Sequence, residues 1–210
     1  MPTEFSKSKT MTNLMRAFAG ESQARNRYTF AADKAKNMGL PFIETVFKLT
    51  ASQEKEHAEI FYNHLKPLSG SNIEINGTYP VEVFDDLPQL LAAARHNEFE
   101  EFEHVYPEFA RIAKDEGLAD IAYSFEKIAQ IEKTHGERFA CFKELLESSR
   151  LFSGEQETEW ICLNCGHIYV GGSVPPSCPV CHHEKGYFVP YKYYKFIAEE
   201  YGRAVIDLGK

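Results

Sequence analysis

The sequence predicts a mainly α-helical protein, with a four-helix bundle first and a small cysteine-rich unit after it. Two observations support this fold class. Four long segments carry apolar residues three or four positions apart, which is the spacing of an amphipathic helix. Near the C-terminal end, Cys162 pairs with Cys165 and Cys178 with Cys181 in two Cys-x-x-Cys motifs. A chain of 210 residues has room for one medium domain and one small one.

The composition excludes several classes of protein. Hydrophobic residues make up 43% of the chain and charged residues 26%, an ordinary globular balance. The net charge of −8 argues against a nucleic-acid binder that relies on a basic surface. No apolar run approaches the length of a membrane span, and the first residues lack the features of a signal peptide. We therefore expect a cytoplasmic protein with reduced cysteines and no membrane or nucleic-acid partner.

The helical segments predict the architecture of the N-terminal domain. Periodicity places helices at 8–37, 40–66, 87–116 and 118–149. Pro107 lies inside the third segment and predicts a kink or local irregularity. A long connection, 67–88, separates the second and third helices, and its Asn76-Gly77 pair can turn a small hairpin. Four helices with one long crossover form the ferritin-like arrangement.

Charged residues interrupt the apolar stripe of every helix. Each helix turns at least one glutamate toward the core, and two helices add a histidine in a Glu-x-x-His motif. The residues of this set are Glu21, Glu54, His57, Glu98, Glu101, Glu132 and His135. Burying an unpaired carboxylate costs several kcal/mol, so such groups need cations. One Glu from each of two helices plus Glu-x-x-His from the other two is the di-iron carboxylate pattern.

The four clustered cysteines predict a second metal site. Two Cys-x-x-Cys motifs separated by twelve residues supply four thiolates to one tetrahedral ion. A sulfur-only site of this kind suits zinc or iron, and the spacing leaves both open. A structural zinc ribbon and a one-iron electron-transfer module are the two interpretations. The fifth cysteine, Cys141, stands alone in a helical pattern and is read as a small buried apolar residue.

Together these motifs resemble the rubrerythrin family, over roughly residues 5–190. The segments that carry the resemblance are 19–28, Glu54-x-x-His57-Ala58, Glu98-x-x-Glu101, 106–110, Glu132-x-x-His135 and the two cysteine motifs. The resemblance implies a ferritin-like di-iron bundle followed by a rubredoxin-like β/loop module that holds one iron. We expect these domains at 1–150 and 158–190, with 153–158 as a linker and 191–210 as a C-terminal helical extension.

The resemblance also implies how each residue acts on the metals. By position, Glu54 and Glu132 match the carboxylates that bridge two irons. Glu21 and Glu98 match terminal ligands, one on each iron, and His135 matches a ligand of the second iron. Iron is the implied metal, with manganese or zinc as substitutes.

A further pair is implied to exchange on the first iron. Glu101 matches the ligand of the oxidised site and His57 the ligand of the reduced site. The additional carboxylate suits the higher charge of ferric iron, and a neutral imidazole suits ferrous iron. Tyr28 and Tyr106 are candidates to tune the ligands by hydrogen bonds, and we count these four side chains as candidate catalytic residues.

The implied function is reduction of hydrogen peroxide to water, in defence against oxidative stress. Electrons would come from an external donor, a rubredoxin or a flavoprotein reductase linked to NAD(P)H, and would pass through the rubredoxin-like iron to the di-iron site. A head-to-tail homodimer is implied, with the module of one subunit facing the di-iron site of the other. The alternatives are an oxidase or ferroxidase that uses O₂, and a zinc-ribbon interaction protein.

Some positions depart from the family pattern. Asn97 stands where glycine is common, just before the first glutamate of the third helix, and His104 stands where glutamate is frequent. Residues 191–210 extend past the usual end of the rubredoxin-like module. An apolar stripe from Tyr194 to Leu208 predicts a helix there, which either docks on the same dimer or serves as a docking site for the reductase.

Overall fold

Long helices form most of the chain. The computed structural model of the protein describes residues 4–194. The helices of the bundle are α1 (Lys9–Asn37), α2 (Pro41–His64), α3 (Leu87–Glu100), α4 (Tyr106–Asp115) and α5 (Ala119–Glu147). Helix α1 packs along α2, and α5 packs along α3 and α4. The predicted mainly helical, ferritin-like bundle is confirmed.

Capping side chains and glycines define several of the helix ends. Ser8 caps α1, since its Oγ accepts a hydrogen bond of 3.0 Å from the N–H of Met11. Asp86 caps α3 in the same way, with a bond of 2.8 Å from the N–H of Gln89. Gly39 and Gly117 have φ values of +70° and +80°, the left-handed conformation in which glycine ends a helix without strain.

The third helix is interrupted where Pro107 predicted an irregularity. Residues Glu101–Val105 form a π-helical turn between α3 and α4. Proline has no N–H to donate, so a regular α-helical hydrogen bond is missing there. A π turn inserts one residue and changes the face that later residues present. Helix α4 therefore begins with Tyr106 buried in the bundle.

The crossover between α2 and α3 contains no hairpin. Residues 71–84 form neither helix nor strand, so the hairpin prediction at Asn76-Gly77 is wrong. A tight hairpin turn of this sequence needs positive φ at both central residues, and neither residue has it. Instead, Arg16 of α1 holds Asn76, donating from Nε to its carbonyl oxygen over 2.9 Å. Contacts with the bundle replace pairing within the segment.

Two aromatic clusters fill the bundle. One contains Phe47, Phe139 and Phe142 and lies toward the α1–α2 turn. The other is built around Phe61 and Phe125 in the opposite half. These five side chains have no exposed surface. A fully buried phenylalanine stabilises the fold by about 1.5–3 kcal/mol, so the clusters hold the helices rigidly on both sides of the carboxylate layer.

The cysteine-rich segment forms a small three-stranded antiparallel sheet. Its strands are β1 (Glu159–Cys162), β2 (Ile168–Val170) and β3 (Phe188–Pro190), in the order β2-β1-β3. Trp160 lies at its centre, fully buried, and its Nε1 donates to the carbonyl of Gly171 over 2.9 Å. The predicted linker 153–158 pairs with this module, since the N–H of Gly154 donates to the carbonyl of Gly172 over 2.9 Å. The expected small strand and loop module is confirmed.

The module packs against the α1–α2 turn of its own chain. A Cβ added to Gly186 would lie 2.0 Å from the carbonyl oxygen of Gly39, so only glycine permits this approach. Ile161, Leu163 and Val189 join the apolar cluster of that end of the bundle.

A short helix, α6 (Tyr191–Tyr194), follows β3. The rest of the predicted C-terminal helix, residues 195–210, lies outside the described residues. Within residues 4–194, no helix combines the length and the apolar character that crossing a membrane requires.

Candidate metal centre

Six titratable side chains meet in the middle of the bundle. They come from α1, α2, α3 and α5 and are at most 4% exposed: Glu21, Glu54, His57, Glu98, Glu132 and His135. Their positions follow the helical spacing, because steps of three and four residues keep them on the inner faces of their helices. The structure therefore brings together six of the seven residues that the sequence singled out.

The six residues form two groups of four that share Glu54 and Glu132. One group adds Glu21 and His57, and the other adds Glu98 and His135. In each group the ligand atoms all lie within 4.8 Å of one another.

Each shared carboxylate divides its two oxygens between the two groups. His57 Nδ1 lies 2.9 Å from Oε1 of Glu132 and 3.3 Å from Oε2 of Glu54. His135 Nδ1 lies 2.8 Å from Oε2 of Glu132 and 3.0 Å from Oε1 of Glu54. This arrangement suits carboxylates that bridge two cations.

The inward-facing atoms fit a pair of metal ions. Among the described residues, both oxygens of Glu54 and Glu132 and Nδ1 of both histidines are buried without a hydrogen-bond partner. Leaving a buried polar atom unsatisfied costs about 1–3 kcal/mol, and more for a charged group. The histidine rings lie nearly parallel, at 15°, with centroids 5.6 Å apart. Carboxylate and imidazole donors suit iron and other first-row divalent metals.

Two tyrosines orient the outer carboxylates. Tyr28 donates a hydrogen bond to Oε1 of Glu98, and Tyr106 donates one to Oε1 of Glu21. The remaining oxygens point inward, with Glu98 Oε2 3.4 Å from Nδ1 of His135. These contacts agree with the predicted tuning role, while catalytic roles for the tyrosines stay predictions.

Burial and mutual repulsion shift the pKa values of the clustered carboxyl groups and histidines. Burial, followed by the charges of Glu132 and Glu54, holds the pKa of Glu21 well above its usual range. Burial likewise raises the pKa of Glu98 to about 8. For His135, burial works in the opposite direction, but the charges of Glu54 and Glu132 prevail and raise its pKa. The carboxylates thus exceed the positive charge that the histidines can provide, and cations would relieve this excess.

Glu101 lies beside the six buried residues. Burial, followed by the charges of Glu21 and Glu98, holds the pKa of Glu101 well above its usual range. It lies at the start of the π turn, half-buried, and belongs to neither group of four. Its Oε1 is 3.9 Å from the point where Gly20 would carry a Cβ, which places it beside the ligand Glu21. Its predicted role as an exchanging ligand stays a prediction.

A cavity of about 650 Å³ opens beside Glu101. Its lining comes from α1, the crossover segment, α3, the π turn and α4, and includes Gly20, Tyr79 and Tyr106 as well as Arg16. Sequence analysis did not identify Tyr79, because residues of an irregular crossover have no periodicity that would reveal what they face. It did not identify Arg16 of α1 either, because the partner of this arginine lies in the crossover. The cavity connects the half-buried Glu101 with the surface.

Sequence analysis also missed an arginine near the cluster. Arg138 follows His135 by one turn of α5 and is half-buried. Its guanidinium donates to Oγ1 of Thr50 over 2.8 Å and to Oε1 of Gln53 over 3.0 Å. Since Gln53 precedes Glu54, the arginine ties α5 to α2 next to a shared carboxylate. The pattern His135-x-x-Arg138 was the available signal, but a lone arginine is usually a surface residue.

The four clustered cysteines form the second site. Sγ of Cys162 lies 3.7 Å from Sγ of Cys181, and Sγ of Cys165 lies 3.7 Å from Sγ of Cys178. A tetrahedron with metal–sulfur bonds of about 2.3 Å has edges of about 3.8 Å, so the sulfurs already fit a single ion. Burial raises the pKa of Cys162 to about 12, whereas the N–H of His183 lowers that of Cys181 to about 5.

The two cysteine motifs repeat the same backbone geometry. The N–H of Cys162 donates to the carbonyl of His167 over 2.9 Å, and the N–H of Cys178 donates to that of His183 over 2.8 Å. The residue after each motif has positive φ, +76° at Gly166 and +63° at His182. Because a non-glycine residue adopts this conformation at some cost, His182 shows that the shape is imposed by the fold of the module.

Comparisons with known proteins agree with both sites. A family model described as Rubrerythrin matches residues 12–143, and one described as Rubrerythrin, rubredoxin-like domain matches residues 160–189. The chain is 41% identical over 186 residues to the rubrerythrin of Clostridium perfringens, covering 88% of this chain and 95% of that protein. It is also 41% identical over 181 residues to the rubrerythrin of Nitratidesulfovibrio vulgaris, covering 86% and 93%.

Solved structures show the same architecture. A structure of nigerythrin in a mixed-valence state aligns with a TM-score of 0.59 and 26% identity, over 89% of this chain and 90% of that one. A bacterioferritin of Desulfovibrio desulfuricans aligns with a TM-score of 0.60 and 23% identity over 68% of this chain and 82% of that one, which shows the shared fold alone. With the carboxylate–histidine cluster in the bundle and the four cysteines in the module, the chain belongs to the rubrerythrin family.

Proposed function

We propose that the protein is a peroxidase that reduces hydrogen peroxide to water, H₂O₂ + 2 H⁺ + 2 e⁻ → 2 H₂O. The observation that supports this most is the pair of four-residue groups that share Glu54 and Glu132 beside a cavity. Two ferrous ions bound there would supply the two electrons together and polarise the peroxide oxygens. The protein's own residues provide the access, the orientation and the protons.

The buried bundle controls which face of the site a substrate can approach. The six clustered side chains are almost fully buried, whereas Glu101 is half-buried and lines the cavity. A peroxide that enters through the cavity reaches Glu101 before the six buried side chains. We propose that Glu101 holds a proton at its carboxyl group for the departing oxygen. Aromatic packing on both sides keeps bulk water from the rest of the cluster.

The cysteine module suits a one-electron relay. Cys165 is exposed and Cys181 half-exposed, so one edge of the site is open to an electron donor. We propose that this donor is a rubredoxin or a flavoprotein reductase linked to NAD(P)H. The four thiols must stay reduced to bind metal, which suits the cytoplasm.

The position of the module favours a dimer. The module touches the α1–α2 turn, and Glu54 lies thirteen residues into α2, which corresponds to about 20 Å along the helix axis at 1.5 Å per residue. Electron transfer weakens steeply with distance, so a relay within one chain would be slow. We therefore propose a head-to-tail homodimer in which each module serves the cluster of the other subunit.

A stopped-flow experiment tests the proposal. Iron-loaded protein, reduced without oxygen, is mixed with H₂O₂ or with O₂, and oxidation of the di-iron site is followed by absorbance. We expect H₂O₂ to react much faster than O₂, and Glu132→Gln to lose the reaction while the exposed Glu103→Gln keeps it. A site oxidised faster by O₂ than by H₂O₂ would instead identify an oxidase. A colourless cysteine site filled with zinc would contradict the relay.

A further inference from the structure

The crossover segment covers the cavity that leads to Glu101. A Cβ placed on Gly20 would be 3.9 Å from Glu101 Oε1 and 3.9 Å from Cε1 of Tyr79, so the tyrosine ring and the carboxylate are neighbours at the same point of α1. Tyr79 lines the cavity and is 40% exposed. Its ring therefore reaches solvent and lies in the cavity lining close to the half-buried carboxylate.

The first anchor of the segment is Arg16 of α1. It donates from Nε to the carbonyl of Asn76 over 2.9 Å and also bonds the Asn76 side chain. The hydroxyl of Tyr79 donates to the carbonyl of Arg16 over 3.2 Å. A Cβ on Gly77 would meet the Tyr79 ring at 3.2 Å, so glycine at this position lets the ring fold back toward the bundle. The Tyr79 hydroxyl thus ties the ring to α1, and Gly77 leaves room for the ring.

The second anchor is Glu82, three residues further on. It forms an ion pair of 2.5 Å with Arg27 of α1, and the two side chains are only 15% and 16% exposed. Asn97 of α3 donates to both oxygens of Glu82, over 2.9 and 3.0 Å. Asn97 directly precedes Glu98, so this link ties the crossover to the helix that carries a metal-binding residue. It also gives a role to the asparagine that departs from the family pattern.

The size of the cavity means that the crossover segment can affect which peroxides reach Glu101. At about 650 Å³ the cavity falls within the range of small-molecule sites, about 300–1,000 Å³, although hydrogen peroxide has only two heavy atoms. A hydroperoxide with an alkyl group would find room inside the cavity. Because the O–O bond must reach the cluster beside Glu101, the bulk of the Tyr79 ring in the cavity lining is the feature that can separate the two substrates.

We propose that Tyr79 is a specificity-determining residue that admits hydrogen peroxide and hinders organic hydroperoxides, and that the Arg27–Glu82–Asn97 link positions it. The inference rests on the proposed peroxidase function. The disfavoured reaction is ROOH + 2 H⁺ + 2 e⁻ → ROH + H₂O, in which the O–O bond breaks with the same two electrons from the reduced di-iron site. Tyr79 takes no part in the chemistry of either reaction and acts by its bulk alone.

The test compares rate constants for oxidation of the reduced di-iron site by H₂O₂ and by cumene hydroperoxide. Tyr79→Ala and Tyr79→Leu should raise the cumene-to-H₂O₂ ratio at least about tenfold, since a single methylene in a binding pocket already changes discrimination about 10–200-fold. Tyr79→Phe keeps the ring and should keep the ratio. Glu82→Ala should raise the ratio by a smaller factor. Glu74→Gln, an exposed carboxylate of the same segment, is the matched control.

A second measurement tests, without any peroxide chemistry, how easily a bulky molecule reaches the metal site. The bundle is loaded with Co²⁺, and the rate at which a bulky aromatic chelator removes the ion is followed by absorbance. Tyr79→Ala should release cobalt several-fold faster than wild type, and Glu74→Gln at the wild-type rate. If wild type does not react with H₂O₂, the proposed function fails, and cobalt release still decides the role of Tyr79. An unchanged ratio and unchanged cobalt release in both Tyr79→Ala and Tyr79→Leu would overturn the proposal.

Discussion

Tyr106 donates a hydrogen bond to Oε1 of Glu21 and leaves Oε2 of the same carboxylate facing Nδ1 of His57, 3.8 Å away. Tyr28 does the same for Glu98 in the other group, where the inward oxygen faces His135. Each outer carboxylate thus reserves one oxygen for a tyrosine and one for a cation. The two halves of the site follow one design although Tyr28 comes from α1 and Tyr106 from α4.

Removal of either tyrosine hydroxyl should lower the affinity of the bundle for one of the two metal ions. In Tyr106→Phe, Oε1 of Glu21 loses its donor, and the carboxylate is free to rotate. Loss of such a supporting hydrogen bond typically weakens metal affinity or activity by about 10–100-fold. Anaerobic Co²⁺ titration against a competing chelator should show one weakened site in Tyr106→Phe and one in Tyr28→Phe. Tyr123→Phe, whose ring is 59% exposed, serves as control. Unchanged affinities in both variants would refute the supporting role.

Glu101 and His57 should have opposite effects on the di-iron reduction potential. Glu101 lies outside both groups of four, so Glu101→Ala should still bind two ferrous ions. A carboxylate favours the higher charge of ferric iron, so its loss should raise the potential and slow peroxide turnover. His57→Ala should lower the potential, because a neutral ligand of the ferrous state is lost. A redox titration of the di-iron site in wild type and both variants checks this, with the neighbouring Glu100→Ala as the control. Shifts of both potentials in the same direction would end the exchange hypothesis.

The cysteine site should be needed for repeated turnover and not for a single one. Cys162 is fully buried and supplies one of the four sulfurs. In Cys162→Ser we expect peroxide still to oxidise a chemically reduced di-iron site. Sustained NAD(P)H-dependent turnover with the donor protein should fall by at least about 100-fold, because no relay returns single electrons. Cys141→Ser, outside the cluster, should behave as wild type. Normal sustained turnover in Cys162→Ser would contradict the relay.

Glu116 should stabilise the bundle in a pH-dependent way. It accepts hydrogen bonds from the N–H groups of Lys9 and Thr10, at 2.8 and 2.9 Å, at the start of α1. Burial opposes ionisation, but the bonds from Thr10 and Lys9 prevail and lower the pKa of Glu116. A carboxyl group whose pKa is lower in the folded state stabilises the fold above the unfolded pKa of about 4.3. That stability is lost as the pH falls through the folded value.

Thermal unfolding followed by circular dichroism tests this dependence. At pH 7, Glu116→Gln should lose about 1 kcal/mol, the typical value of a helix cap. Well below pH 4.3 the wild type and the variant should converge. Asp33→Asn, an exposed carboxylate of α1, should show neither effect. A loss of stability that persists unchanged in acid would show that charge is not responsible.

Much of the candidate site could be predicted from local spacing. Glu54 with His57 and Glu132 with His135 lie one turn apart on apolar stripes, and helix geometry alone turns both members of each pair inward. The cysteine motifs likewise specify their own turns, so their sulfurs converge as expected. For Glu101, the spacing from Glu98 predicts a place among the ligands, and this stays a prediction. What the spacing did not reveal is the π turn that begins at Glu101 and leaves it half-buried at the edge of the cavity.

Other features depend on contacts that no local pattern contains. Helical periodicity and closely spaced ligands are local properties of the chain, so the four helical segments, the two donor sets and the family could be predicted without a structure. The path of the crossover could not, because it depends on Arg16 and Arg27 reaching Asn76 and Glu82 from 55 or more residues away. The packed fold sets this path. It also decided that the module docks on the α1–α2 turn through Gly186. Such contacts join irregular segments to distant helices, and their geometry exists only once the core is packed.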